Sequence, residues 1–385
     1  MRKLLRNCQL LDPESPAPSP GALLIEDGRI AARLEADCAV PGDAEVLDLE
    51  GRGLAPGFID LHFHGSTIFH DAASVVESVA HDAVECARHG TTAFLATTVA
   101  EPAADLLTRA ERLASAIDDA ASGSAVPLGI HLEGPWIHPD AAGAQPGPGI
   151  RPYRSEELAD LRTASAGAIR MVTLAPEIEG GPELVEALAG AGILPALGHS
   201  LATAEQVDDA VSRGARHVTH LFNAMGPLHH RQPGLAGATL SDDRLSCDLI
   251  CDGCHVDPRM TRLVARVKGD LALLISDRVE PPDPETGFGS GALQDDGEAW
   301  RLPDGRLAAS RLHLDQAIAN LVAWGAMTQL EAVAACTLRP ARLLGVESKR
   351  GTLRPGARAD LTLLDPAGHS VRTWVAGREA AAEAG

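Results

Sequence analysis

The chain has 385 residues, with 33 Lys and Arg against 53 Asp and Glu for a formal net charge of −20, and it is 45 % hydrophobic but only 3 % aromatic. The apolar content argues against a disordered chain, the acidity against a general binder of nucleic acid or anionic membranes, and the scarcity of aromatics against a base- or sugar-stacking module. Seven scattered cysteines fit reduced thiols, and no apolar run nears the roughly 20 residues of a bilayer crossing, so a cytoplasmic protein with no nucleic-acid and no membrane partner is expected.

Residues 1–55 read as short strands joined by turns: Gly21–Ile25, an Asp27-Gly28 turn, its hairpin partner Arg29–Leu34, and Val46–Leu49. From Gly57 the pattern changes. Eight apolar runs follow: Gly57–Leu61, Thr92–Ala96, Val126–His131, Ile169–Leu174, Ile193–Leu197, His217–Leu221, Cys247–Ile250 and Leu271–Ile275. Between them lie Ala-rich segments with helical spacing, such as Ser74–Arg88, Ala103–Ala121, Pro182–Ala191, Thr203–Ser212 and Asp257–Val267. Thr203 followed by Gln206 reads as a capping box. Strands alternating with helices predict a (β/α)8 barrel, although a doubly wound open sheet shares the periodicity.

Two stretches read as loops, Pro139–Pro152 and Glu280–Asp304. The glycines at 287, 289 and 291 do not sit between a strand and a helix, so they make no phosphate cradle. The tail returns to strands, Asp360–Leu364 and Ser370–Ala376, around a turn at Asp365-Pro366. The expected fold class is therefore α/β: a (β/α)8 TIM-like barrel over residues 56–344, with a small β-sandwich domain formed from both chain termini, residues 1–55 and 345–385.

In such a barrel, reactive side chains collect at the C-terminal ends of the strands. Six of the eight runs end in chemistry-bearing residues: Asp60, His62 and His64; His131 and Glu133; His199; His217 and His220; Asp252 and His255; Asp277. His62 and His64 are two apart on a strand, so both rings project from one face. Imidazoles and carboxylates converging on a cavity suit a divalent ion such as Zn²⁺. Cys251-Asp-Gly-Cys254-His255 matches a haem-attachment pattern. No export signal is visible, however, and the two cysteines are expected to pack against the barrel and flank a loop.

Several segments resemble a family. Pro56-Gly-Phe-Ile-Asp-Leu-His-Phe-His64 looks like the first-strand signature of the amidohydrolase superfamily. His131-Leu-Glu-Gly-Pro135, Leu197-Gly-His-Ser200, Thr219-His-Leu-Phe-Asn-Ala-Met225, Arg231-Gln-Pro-Gly-Leu-Ala-Gly237 and Asp252-Gly-Cys-His-Val256 together resemble its N-acetylglucosamine-6-phosphate deacetylases, as does the tail from Gly351 to Leu361. The resemblance implies an enzyme that hydrolyses the N-acetyl group of an amino-sugar 6-phosphate. Glu133, His199 and His220 would be the principal metal ligands, and His62 and His64 would serve a second ion or help to hold the first, giving one or two ions per subunit. Asp277 would be general base and acid. Asn223, Ala224, Arg231 and His255 would hold the sugar phosphate, with Asp252, Ala144, Gln145, Leu307, Ala308 and Ala309 also at the substrate. The resemblance further implies a homodimer.

The chain departs from that family in four places: Gly65–His70 replaces a glycine-rich turn, Gln145 stands where the family has histidine, Ser276-Asp277-Arg278 replaces Thr-Asp-Ala, and Leu307–Ser310 replaces Ala-Gly-Ser. These put the acceptor sugar in question more than the reaction. Other readings are a cyclic amidase or aminohydrolase acting on a heterocycle, which has no use for Arg231, and a catalytically silent scaffold, which has no need to keep so many candidate ligands.

Overall fold

The computed structural model describes residues 2–70, 74–118, 123–281, 287–288 and 291–380. The chain opens with β1 (Arg2–Leu10), β2 (Ser19–Glu26), β3 (Arg29–Leu34), β4 (Glu45–Asp48) and β5 (Gly53–Pro56). β1 lies central, antiparallel to β2 and parallel to both β4 and β5. β5 pairs with Leu361–Leu364, which pairs with Ser370–Val375, so both chain ends build one sheet. Its core includes Leu5, Leu10, Leu23, Ile30, Leu54, Leu361 and Trp374. β1 is absent from the sequence-based expectation. A register shift between Leu5 and Cys8 breaks its period of two, so its apolar residues do not alternate cleanly.

β5 runs into eight parallel strands: β6 (Phe58–Gly65), β7 (Thr91–Thr97), β8 (Val126–Glu133), β9 (Ile169–Leu174), β10 (Leu194–Leu197), β11 (His217–Val218), β12 (Ser246–Ile250) and β13 (Ala272–Ile275). Each pairs with the next in sequence order. The strands read as continuous apolar runs because helices cover them from outside. These helices include α1 (Val75–Arg88), α2 (Ala103–Asp118), α3 (Ser155–Ala164), α4 (Gly181–Gly190), α5 (Ala204–Arg213), α6 (Gly234–Ser241), α7 (Pro258–Lys268) and α8 (Leu314–Ala323). The capping box opens α5: Gln206 N–H donates to Thr203 Oγ1, and Thr203 N–H donates to Gln206 Oε1 at 2.9 Å. Residues 119–121, the expected end of α2, lie outside the described residues, as do 289–290 of the glycine run and 381–385 of the tail.

The circle closes through an interrupted strand. After β13 the chain passes Ser276 and Asp277, then forms β14 (Arg278–Val279), which pairs parallel with β6. Leu307–Ser310 joins the other side of β14, and Ala299–Arg301 and Gln294–Asp295 follow it antiparallel. Part of the expected Glu280–Asp304 loop is thus strand. Its Gly, Pro and acidic content hid pairings only two or three residues long. Pro139–Pro152 holds only short 3₁₀ turns, at Pro139–Ala141 and Gly147–Gly149. No helix among the described residues is long and apolar enough to cross a membrane.

Candidate metal centre

The alternation of β6 puts His62 and His64 on one face, with their Nε2 atoms 3.1 Å apart. β6 extends past the expected end at Leu61, so both histidines lie within the strand. Glu133 is the last residue of β8. His199, His220 and Asp277 each follow the end of a strand with φ of 48°, 34° and 48°. Left-handed backbone is uncommon for residues with side chains and clusters at functional sites. Here it ends β10, β11 and β13 abruptly and turns each side chain toward the barrel mouth.

Glu133 lies at the centre. Its Oε1 is 3.0 Å from His199 Nε2, 3.0 Å from His220 Nε2 and 3.3 Å from His62 Nε2. Its Oε2 is 3.2 Å from His64 Nε2 and accepts a hydrogen bond from Gln145 Nε2. Asp277 Oδ1 lies 3.3 Å from His62 Nε2 and 3.4 Å from His64 Nε2. Two triads result, His62–His64–Asp277 and Glu133–His199–His220, the ligand atoms of each lying within 4.8 Å of one another.

The surroundings prepare these atoms as ligands. His199 Nδ1–H donates to Ala141 O at 2.9 Å, and His64 Nδ1–H to Thr97 O at 3.2 Å. A carbonyl can only accept, so in the neutral ring it is Nε2 that carries the lone pair, directed toward the centre. Asp248 Oδ1 accepts the backbone N–H of His220, and its Oδ2 lies 2.8 Å from His217 Nε2. Beneath the centre, Thr97, His131, Thr173 and Thr219 form a hydrogen-bonded polar chain inside the barrel. Burial holds His131 well below the usual imidazole range, so it is neutral there.

Electrostatics favour a cation at this place. Burial opposes ionisation of Glu133, but the imidazoles of His62, His199 and His220 outweigh it and hold the carboxyl well below its ordinary range. Asp277 is likewise held low: burial opposes its ionisation, and His62 and His64 overcome it. Burial also works against charge on His64, yet Asp277 and Glu133 lift it to about 10. The imidazole nitrogens of His62 and His64, and those of His199 and His220, face each other at 3.1 Å. The donor set of imidazole nitrogen and carboxylate oxygen in each triad suits a divalent ion.

A cavity of about 170 Å³ opens over the centre, lined by His64, Glu133, His199, His220 and Asp277. Of the positions singled out in the sequence, Ala144, Gln145, Asn223, Ala224, His255, Leu307, Ala308 and Ala309 complete the wall. Asp252 stands behind His255, its Oδ2 2.6 Å from His255 Nδ1. Arg231 is placed elsewhere: it is exposed, 2.8 Å from His230 Nε2, and borders a separate groove with Leu201, Thr203 and Gln232. Gly143 and Val279 also line the cavity. Neither carries a chemical group that a sequence pattern could flag. All seven cysteines are free; Cys251 is fully buried and Cys254 lies 3.5 Å from Glu298.

Residues 54–380 match the Amidohydrolase family. The chain is 35 % identical to N-acetylgalactosamine-6-phosphate deacetylase of Escherichia coli O157:H7, across 92 % of this chain and 93 % of that protein. It is 34 % identical to N-acetylglucosamine-6-phosphate deacetylase of Bos taurus, across 97 % and 90 %. A solved N-acetyl-D-glucosamine-6-phosphate deacetylase mutant from Mycobacterium smegmatis, in complex with N-acetyl-D-glucosamine-6-phosphate, superposes with a TM-score of 0.90 at 30 % identity, covering 99 % of this chain and 100 % of that one. The enzyme from Pasteurella multocida superposes with a TM-score of 0.92 at 26 % identity, over 99 % and 100 %.

Proposed function

The chain belongs to the amidohydrolase family, and on that premise we propose that it hydrolyses the acetamide of an N-acetyl amino-sugar 6-phosphate, giving acetate and the free amino-sugar phosphate. The observation that carries this reading is the convergence of two ligand triads under a cavity whose wall holds His255, Asn223 and Ala224. Glu133, His199 and His220 would hold one ion, and His62, His64 and Asp277 a second. When bound, a divalent ion, Zn²⁺ in this reading, acidifies water and polarises the acetyl carbonyl.

Asp277 has the exposure its role needs. Its side chain is 15 % exposed at the cavity, whereas His62 beneath it is fully buried. It takes a proton from the attacking water and returns it to the amine nitrogen as the C–N bond breaks. His255, oriented by Asp252 through Nδ1, presents Nε2 to the phosphate, and Asn223 with the Ala224 backbone flanks it. Arg231 stands outside the cavity of its own protomer. In a homodimer, Arg231 of the partner subunit would supply the bidentate fork for the phosphate. This leaves the charge of −20 to the outer surface, with anion binding confined to a few residues.

The test is an acetate-release screen of the metal-loaded protein over N-acetyl-hexosamines with and without a 6-phosphate. Release from the phosphorylated sugars is expected. No release from any would replace this reading with a cyclic amidase or aminohydrolase.

A further inference from the structure

We infer that Gln145 is a positioning residue that fixes the rotation of the Glu133 carboxylate, and with it the division of ligand atoms between the two triads. The inference rests on the metal-centre reading above. Gln145 is 8 % exposed and lies in the Pro139–Pro152 loop. Its Oε1 accepts the backbone N–H of Ala100 at 2.7 Å, and its Nε2 donates to Glu133 Oε2. A backbone N–H only donates and an ionised carboxylate only accepts, so one orientation of the amide serves both partners.

Glu133 needs such a partner. The last torsion of a glutamate is broad and roughly two-fold, so its own bonding does not set where the oxygens point. The direction matters here, because Oε1 faces His199 and His220 while Oε2 faces His64. The imidazoles fix one oxygen from the barrel side, and Gln145 fixes the other from the loop side.

The loop that carries Gln145 is itself anchored to this centre. His138 N–H donates to His199 O at 2.9 Å, and Ala141 O accepts from His199 Nδ1 at 2.9 Å. Gly149 packs so tightly on Ala100 that a Cβ there would lie 1.9 Å from its carbonyl oxygen. One loop therefore orients two ligands of the same triad, His199 through a carbonyl and Glu133 through a side-chain amide.

The experiment compares Gln145→Leu and Gln145→Met with the wild type in Zn²⁺ competition against a chromogenic chelator, alongside steady-state acetate release at saturating Zn²⁺. Both variants keep the side-chain bulk and lose the two hydrogen bonds. Zn²⁺ affinity is expected to fall by about 10- to 100-fold and kcat to fall, while KM for the sugar phosphate moves by less than about twofold. Each metal-free variant should unfold in one cooperative transition, lowered by no more than the loss of two buried hydrogen bonds accounts for. Unchanged Zn²⁺ affinity in either folded variant overturns the proposal. So does a large rise in KM at unchanged affinity, which would make Gln145 a substrate contact. A wild type that releases no acetate would sink the deacetylase reading alone, because the Zn²⁺ competition uses no sugar.

Discussion

Asp277 and His62 are joined twice: the backbone N–H of Asp277 donates to His62 O at 2.9 Å, and Asp277 Oδ1 stands 3.3 Å from His62 Nε2. The carboxylate is thereby fixed in direction by the strand that carries the histidine pair. Asp277→Asn keeps the size and the backbone bond but cannot accept a proton. Turnover is expected to fall by about 10²- to 10⁴-fold, the usual worth of a positioned acid–base group. Metal analysis of the purified variant should still find at least the ion held by Glu133, His199 and His220. Near-normal acetate release would remove Asp277 from its assigned role.

Arg231 is exposed, so its removal has little to disturb in the fold. Arg231→Ala is expected to leave the unfolding temperature within about 1 °C, as surface changes usually do. KM for a 6-phosphorylated sugar should rise by about 10- to 100-fold, matching the roughly 1.5–3 kcal/mol of a charge-assisted hydrogen bond. An unphosphorylated N-acetyl-hexosamine should show no comparable change. Equal effects on both substrates would take the phosphate away from this residue.

Removal of the ion with a chelator should abolish turnover and lower the unfolding temperature, since an ion that binds only the folded chain stabilises it by mass action. Zn²⁺ should restore both. At a hundred times its dissociation constant the ion contributes about 2.7 kcal/mol. Full activity after exhaustive chelation would exclude a required metal.

Much of the site was legible because its chemistry sits where a barrel concentrates it. The strand-end positions of Glu133, His199, His220 and Asp277, and the two-residue spacing of His62 and His64, needed only strand periodicity and residue type. What stayed hidden depends on contacts between distant segments. Gln145 reaches Ala100 across 45 residues of sequence, and Asp248 reaches the His220 amide across 28. The sequence singles out Gln145 as a position at the substrate but not its bonds to Ala100 and Glu133, and Asp248 looks like an ordinary polar residue in its own neighbourhood. β1 was missed because a bulge spoils its alternation. The position of Arg231 outside the cavity follows from the path of its loop, which no local pattern records.

Asp82 offers a pH test away from the ligands. Gly65 has no Cβ, which leaves room for the Asp82 carboxyl: a Cβ there would lie 2.1 Å from Asp82 Oδ2. Ser66 donates to it through its backbone N–H at 2.9 Å and its hydroxyl at 2.8 Å. Burial nevertheless pushes Asp82 up from 3.8 to about 7, with Glu280 adding to the rise. The folded state therefore holds this proton between pH 3.8 and about 7 while the unfolded chain has lost it. Its contribution to stability is full below the lower value and declines as pH rises through that window. Asp82→Asn mimics the protonated form. Its unfolding temperature should gain on the wild type from pH 5 to pH 8, and a difference that does not vary with pH would place the carboxyl in the ordinary range.

The interruption between β13 and β14 has a consequence for how the molecule fails. The ladders from β6 to β13 join successive strands, but after β13 the chain passes at Ser276 and Asp277 to pairing with β6. The seam of the barrel and its proposed proton carrier are thus the same two residues. β14 pairs with β6 over only two residues, so this seam is a place where little backbone holds and loosening can start. Mild denaturant should therefore silence acetate release before it melts the helices. Ligands that bridge β6 and Asp277 would act as the clasp that keeps the ring shut.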